Sequence, residues 1–421
     1  MNITFKIPTS DQVIFWGYLV FLFFLPFTKI SLPATGKLEF TFSDAVLVFI
    51  GAIVLSKGYK IKRNFFVYIG TFLFFFTGLL INAPLCINYI SFFRSILPYF
   101  FSFTLILTTL MIMSRGDIKN KFNYIWFIIF ISLALSAIPV YFQIFTGVKN
   151  ILFYDKYGWR YTFLAQNPNQ FGVYLILFLF LLTLITQRFY RYRLKYVILL
   201  QVIYFAPVMF SGSRTAMFAA SLNFLVLLGL FFFNLGKFQK AIFLPLAFLA
   251  ITSLTPVILN LVAGQGGQIN RALKVFETID KKGTKVIGDN SPSGRSMVEG
   301  KKLFMEHPIL GIGLGQKRFY SNYVTEVHNT YLKIAAESGI VGFFGFCLIF
   351  ALPLVSFISA QQIDLKSKLI ICIFYGIFML MNYPHMLLRQ RWVWFFMVLC
   401  FILSKTRVDG TMDRSYLKFL N

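Results

Sequence analysis

SGIVGFFGFCLIFALPLVSFIS, Ser338–Ser359, runs for 22 residues without a charged side chain. A helix rises about 1.5 Å per residue, so this run is long enough to cross a hydrocarbon core of about 30 Å. Gly339, Gly342 and Gly345 recur at every third residue in it, a spacing that suits close helix packing in lipid. The rest of the chain has the same character. It is 58% hydrophobic, 19% aromatic and only 13% charged, with 55 Phe among 421 residues. A soluble domain of that length needs far more polar surface. Composition therefore predicts an integral membrane protein.

Twelve apolar segments are predicted as spans: 13–30, 42–57, 64–82, 95–113, 122–146, 171–187, 196–211, 215–234, 240–262, 338–359, 366–383 and 391–404. The last and the 196–211 segment are short enough to be tilted, re-entrant or longer than drawn. The first run lacks a small-residue cleavage site after it and is read as a retained span. The fold class is thus all-α, with about 12 transmembrane helices. Cys86, Cys347, Cys372 and Cys400 are scattered in or beside apolar runs without metal-ligand spacing, and read as small buried hydrophobes.

The formal charge of +25 is explained by placement rather than by nucleic acid. Linkers 57–63, 114–121, 187–195, 236–240 and 364–368, with Lys6 and the tail 405–418, carry 20 Lys and Arg, against 8 in the short linkers of the other side. Positive charge collects on the cytoplasmic side, which predicts cytoplasmic termini. Residues 263–337 then form one large outer loop with eleven Lys or Arg and seven Asp or Glu. Its length predicts function or internal helices. RSMVEGKKLFMEH (295–307) reads as one such helix, ended by Pro308, and HPILGIGLG (307–315) as a glycine-rich turn. The chain divides into spans 1–262, the loop 263–337, and spans with a cytoplasmic tail, 338–421.

Several residues on the outer side can carry chemistry. His328, in the loop just before the tenth span, titrates near neutral pH and can accept a proton from a hydroxyl; the alternative is an interfacial polar residue. Glu337 lies nine residues on, roughly 180° around a continuous helix, so a direct His–Glu pair needs a bend. Arg214 in SGSRTA (211–216) stands at an outer span end, where a guanidinium either snorkels or binds an anion. Arg295 follows a Pro/Gly turn near a helix start, and Arg94 sits at the outer edge of the fourth span. AQNPNQFG (165–172) is a turn and helix start; its carboxamides Gln166, Asn167 and Asn169, with Asn329, are also candidates for sugar hydroxyls. Tyr154, Tyr157, Trp159 and Tyr161 read as an interfacial belt. No HExxH, carboxylate pair or His/Cys cluster appears in the outer loops, and no Walker-type loop, so neither a metal nor another cofactor is expected.

Four of these motifs occur in a telling order. NPNQFG (167–172), SGSRTA (211–216), GRSMVEGKKLFMEHPILGIGLG (294–315) and HNTYLKIAAESGIVG (328–342) together resemble the O-antigen ligase and O-antigen polymerase superfamily of bacterial membrane glycosyltransferases. The resemblance covers residues 165–345 in detail and the whole chain in layout. RQRWVW (389–394) resembles a basic pair of that family more loosely. The resemblance implies a C-type glycosyltransferase-like fold with one large periplasmic loop, in the bacterial inner membrane. It implies metal-independent, inverting transfer of a glycan from undecaprenyl pyrophosphate to a glycan or lipid A-core hydroxyl. His328 matches the catalytic histidine, Glu337 the family glutamate, and Arg214 and Arg295 the arginines that hold pyrophosphate, with Arg94 a further candidate. Membrane lipids and a chain-length regulator are the partners expected besides donor and acceptor. The competing class is a transporter or flippase of lipid-linked saccharides. Such folds show internal repeats and midplane ionisable groups, whereas here the candidates gather on one outer face.

Overall fold

The computed structural model describes residues 9–27, 41–148, 161–163, 168–190, 193–211, 213–234, 292–321, 327, 329–382, 388 and 390–406. These residues are mostly helical, with α1 Ser10–Phe24, α2 Phe42–Ser56, α3 Phe66–Leu80, α4 Tyr89–Met113, α5 Ile118–Thr146, α6 Pro168–Phe189, α7 Leu194–Ser211 and α8 Arg214–Asn234 before the predicted loop. After it come α9 Pro292–Glu306, α10 Thr330–Ser359, α11 Leu365–Asn382 and α12 Arg391–Lys405. Among the described residues, six helical stretches are long and apolar enough to cross a membrane: 63–85, 89–113, 118–146, 170–189, 330–359 and 365–382. The chain is an α-helical membrane protein. The predicted ninth span, 240–262, and the loop residues 263–291 lie outside the described residues.

Linkers of like composition meet at the same end of the bundle. At the basic end, Arg115 pairs with Asp11 at 2.9 Å, Tyr190 donates to the carbonyl of Lys119 at 2.8 Å, and Arg188 donates to the carbonyls of Gln362 and Thr406 at 3.1 and 2.7 Å. The segments 81–91, 307–316 and 329–338 meet at the opposite end. Alternating helix direction is what an up-and-down bundle requires, and it brings the starts of α4 and α10 to one pole with the 307–316 turn.

Two helices form the centre. Every residue of α12 from Trp392 to Ser404 is buried, as is nearly all of α6. A helix that is apolar all round has no reason to face either water or lipid preferentially, so packing decides its place. The short last segment is therefore not peripheral: its 15 residues pack against α4, α6 and α10. Trp394 anchors it. The indole N–H donates to Leu388 O at 2.7 Å, and the rings of Phe72, Phe75, Tyr99 and Phe350 surround it with centroids 5.1–6.5 Å away, the range in which aromatic pairs attract beyond simple burial.

The glycine spacing of α10 divides into two roles. A Cβ on Gly345 would lie 2.7 Å from Phe75 Cα, and one on Gly78 would lie 2.6 Å from Gly342 Cα. Helices α3 and α10 thus touch backbone to backbone, which is how helices gain contact in lipid, where burial supplies no drive. Gly339 does something else, and here the expected packing role is corrected. Its φ of 61° and ψ of −164° break the helix, and a Cβ there would sit 2.1 Å from the carbonyl oxygen of Ile309. The break lets the 307–316 turn press against α10.

Two helix starts also precede the apolar boundaries. Asn88 Oδ1 accepts from Ser91 N at 2.8 Å and starts α4 at Tyr89 rather than 95. Asn329 Oδ1 accepts from Leu332 N at 3.0 Å and starts α10 at Thr330 rather than 338. Each cap satisfies a backbone N–H that the first turn leaves free.

Candidate active site

The predicted helix in the outer loop is present as α9, which packs along the polar start of α10. Leu303, Ile312 and Ala336 form a small buried cluster there, and Gly300 lets Val327 approach to within 3.1 Å of where its Cβ would be. The predicted glycine turn follows. Gly315 has φ +69°, and a Cβ on it would collide with Ser95 Oγ at 2.2 Å. Only glycine tolerates both conditions.

This turn is fastened from two directions. From α10, Gly313 N donates to Glu337 O and Ile312 N to Ala336 O, each at 2.9 Å. From the α3–α4 connection, Asn82 Nδ2 donates to Leu310 O at 2.8 Å and to Glu337 O at 2.7 Å. Gln316 exchanges two hydrogen bonds with the backbone of Asn88, at 3.0 and 2.9 Å, and Ser91 Oγ donates to Gly315 O at 2.8 Å. Asn82, Ser91 and Gln316 escaped the sequence reading because nothing about an isolated carboxamide or hydroxyl marks it as a clasp.

Glu337 lies at the middle of this arrangement and is 5% exposed. Its Oε1 accepts from Gly315 N at 3.3 Å and lies 3.9 Å from Lys333 Nζ, one helical turn earlier. Its Oε2 has no hydrogen-bond partner among the described residues, and neither has Asn82 Oδ1. The pocket of backbone and side chain around Glu337 therefore offers spare acceptors rather than spare donors. Cys86 lies against the same turn, with its Sγ 2.8 Å from where a Gly313 Cβ would be; burial pushes its thiol pKa up, so it is a thiol, not a nucleophilic thiolate.

The other candidates fall as follows. Arg295, in the first turn of α9, and Arg94, in α4, are exposed. Arg214 opens α8 and Asn169 lies in the first turn of α6; their side chains, like His328, Gln166 and Asn167, lie outside what is described. His328 is flanked by Val327 and Asn329, both buried. Because α10 begins at Thr330, the predicted half-turn offset between His328 and Glu337 on one continuous helix does not apply. Asn329 is 2% exposed, and its carbonyl oxygen is engaged as the α10 cap, leaving only its amide for another partner.

One ion pair was not anticipated. Arg391, which opens α12, pairs with the fully buried Asp44 in the first turn of α2. Asp44 also accepts from Thr41 N at 2.8 Å, and the guanidinium lies 5.3 Å from the Phe101 ring centroid. The signal existed: Asp44 is the only acid in the 42–57 segment, and a carboxylate in a span demands a partner. Arg391 therefore differs from the exposed Arg94 and Arg295 in having its charge compensated within the protein. Among the described residues no group of three or more His, Cys, Asp or Glu side chains could hold a metal ion.

No curated protein matches the chain significantly. Residues 199–347, from α7 through the glycine turn into α10, do match the family model described as O-antigen ligase, and this supports the O-antigen ligase/polymerase superfamily that the motifs resemble.

Proposed function

We propose that the chain is a membrane glycosyltransferase that takes a glycan from undecaprenyl pyrophosphate at the periplasmic face of the bacterial inner membrane. The observation that carries this reading is the O-antigen ligase match over 199–347, which contains Arg214, Arg295, His328 and Glu337. The reading includes the layout expected from the sequence: twelve spans, segment 240–262 the ninth, with both termini cytoplasmic. In the reaction, the acceptor oxygen attacks the anomeric carbon from the side opposite the pyrophosphate, so the configuration inverts. The new glycosidic C–O bond forms as the bond to pyrophosphate breaks. His328 takes the hydroxyl proton, and undecaprenyl pyrophosphate leaves with the bonding electrons. Arg214 and Arg295, with Arg94 of α4 as a further candidate, stabilise the charge that grows on that leaving group. Glu337 holds the glycine turn in place and keeps one carboxylate oxygen available to a hydroxyl or ammonium donor. Gln166, Asn167, Asn169 and the amide of Asn329 hydrogen-bond the sugars. No metal takes part.

The acceptor we favour is another lipid-linked repeat unit, which makes the enzyme a polymerase served by a chain-length regulator. Transfer to lipid A-core is the ligase alternative, favoured by the description of the matched family. A transporter is not favoured, because the match is to a transferase family. Purified His328→Ala with lipid-linked donor tests the chemistry: transfer should vanish while the protein inserts normally, and near-normal activity would remove the base assignment. The lipid profile of a deletion strain separates the acceptors. A single repeat unit left on the core means polymerase; a core bare of O-antigen means ligase.

A further inference from the structure

Helix α9 descends beside α10 in the same direction. Gly300 lies opposite Leu332, Leu303 shares a buried cluster with Ile312 and Ala336, and the carbonyl of Pro308 accepts from Ile340 N at 2.8 Å. From Ile340 to Ser359 the helix has the length of a hydrocarbon core, about 30 Å. With Ser359 at the inner margin, Ile340 falls at the outer edge of that core, and Ile309, held beside it, at the same depth. Ile340, Phe344, Leu348, Val355 and Ile358 are the exposed large apolar residues of α10, spaced as one stripe facing lipid.

The outward face of α9 continues that stripe. Ser296, Gly300 and Leu303 are buried toward α10. On the opposite face stand Val298 and Met305, followed by Ile309 in the turn, with exposures of 52%, 69% and 66%. The exposed Lys301 flanks them on one side, and Arg295 with the Lys302–Glu306 pair at 3.9 Å on the other. An apolar strip with a net positive border is the pattern of a helix that enters the boundary between acyl chains and anionic headgroups.

We propose that the lower end of α9, Met305 and Ile309, is embedded in the outer margin of the acyl-chain layer, with Arg295 and Lys301 at headgroup level. The outer loop is thus seated on the bilayer through its own lipid-binding foot. Two features favour lipid over a protein partner: exposed Ile309 lies beside Ile340, the first residue of the lipid-facing stripe of α10, and Arg295 and Lys301 leave the border net positive, which complements anionic headgroups.

The three apolar positions share a face but differ in depth, because Val298 is about 10 Å above Met305 along the helix axis. The test is spin labelling of Val298→Cys, Met305→Cys and Ile309→Cys, each in the full chain carrying Cys347→Ser and Cys372→Ser. The protein is placed in nanodiscs of phosphatidylethanolamine and phosphatidylglycerol, and collision with oxygen and with a water-soluble nickel chelate is measured. The expected result is a gradient: nickel collisions fall several-fold from 298 through 305 to 309 while oxygen collisions rise. Equal nickel access at all three positions means a water-facing helix and overturns the proposal. Exclusion of both reagents at 305 and 309 means a protein cover and also overturns it. The readout is depth, so it stands or fails separately from glycan transfer.

Discussion

Asn82→Ala removes one amide group that holds two segments distant in sequence. In the structure its Nδ2 donates to Leu310 O at 2.8 Å and to Glu337 O at 2.7 Å, and the side chain is buried. The two carbonyls are not equally exposed to the loss. Glu337 O keeps its bond from Gly313 N, while Asn82 supplies the one hydrogen bond described for Leu310 O. One lost hydrogen bond costs about 1 kcal/mol, and a buried carbonyl left without a donor about 1–3 kcal/mol more. Together this gives about 2–4 kcal/mol, roughly a 30- to 700-fold shift toward an undocked turn. The Gln316–Asn88 and Ser91–Gly315 bonds persist, so the turn should loosen locally rather than detach. The assay is hydrogen exchange by mass spectrometry in nanodiscs. Amides from Gly311 to Gly315 should exchange at least roughly 10-fold faster in the variant, with the spans unchanged, because local openings report local free energies. Asn82→Asp, which keeps the shape but turns a carboxylate toward two carbonyl oxygens, should be worse. Exchange over 311–315 identical to the parent would refute the latch reasoning.

Arg214→Lys and Arg295→Lys keep the charge but lose the bidentate fork; both should lower turnover strongly, whereas Lys301→Ala and Lys302→Ala, on the exposed face of α9, should be mild. Equal, modest losses across all four would leave only diffuse attraction of an anionic donor. Asp44→Ala removes the buried carboxylate paired with Arg391 and should cost about 3–5 kcal/mol, seen as a lowered melting temperature; Asp44→Ala combined with Arg391→Leu should recover much of it, and failure of the double variant to exceed the single one would contradict the pairing. Glycan transfer should survive EDTA; loss restored by Mg²⁺ or Mn²⁺ would overturn metal-free chemistry. Maleimide should label Cys86 slowly and faster as pH rises, since burial raises its thiol pKa and only the thiolate reacts.

Hydrophobic runs determined by themselves that the chain is a helical membrane protein, because a span must satisfy its backbone internally and present apolar side chains for its whole length. Segment α12 shows the limit of that signal. Its apolarity predicted a span, yet apolarity cannot distinguish a helix in lipid from one enclosed by other helices, and only packing around Trp394 decided the latter. The glycine repeat in α10 was equally visible, but which glycine packs and which breaks the helix depended on what arrived opposite: Phe75 and Gly78 of α3, or the carbonyl of Ile309. The same holds at the candidate site. Motif order pointed to Arg214, Arg295, His328 and Glu337, since cations and a titratable base are chemically distinctive residue types. Asn82, Ser91 and Gln316 have no such signature; they matter because the fold brings the α3–α4 connection against a turn more than 200 residues away in sequence. Composition and periodicity record what each segment must avoid or bury. Which partner satisfies each buried polar group is a property of the assembled chain, because hydrogen bonds and ion pairs act over a few ångströms and only folding brings distant residues that close.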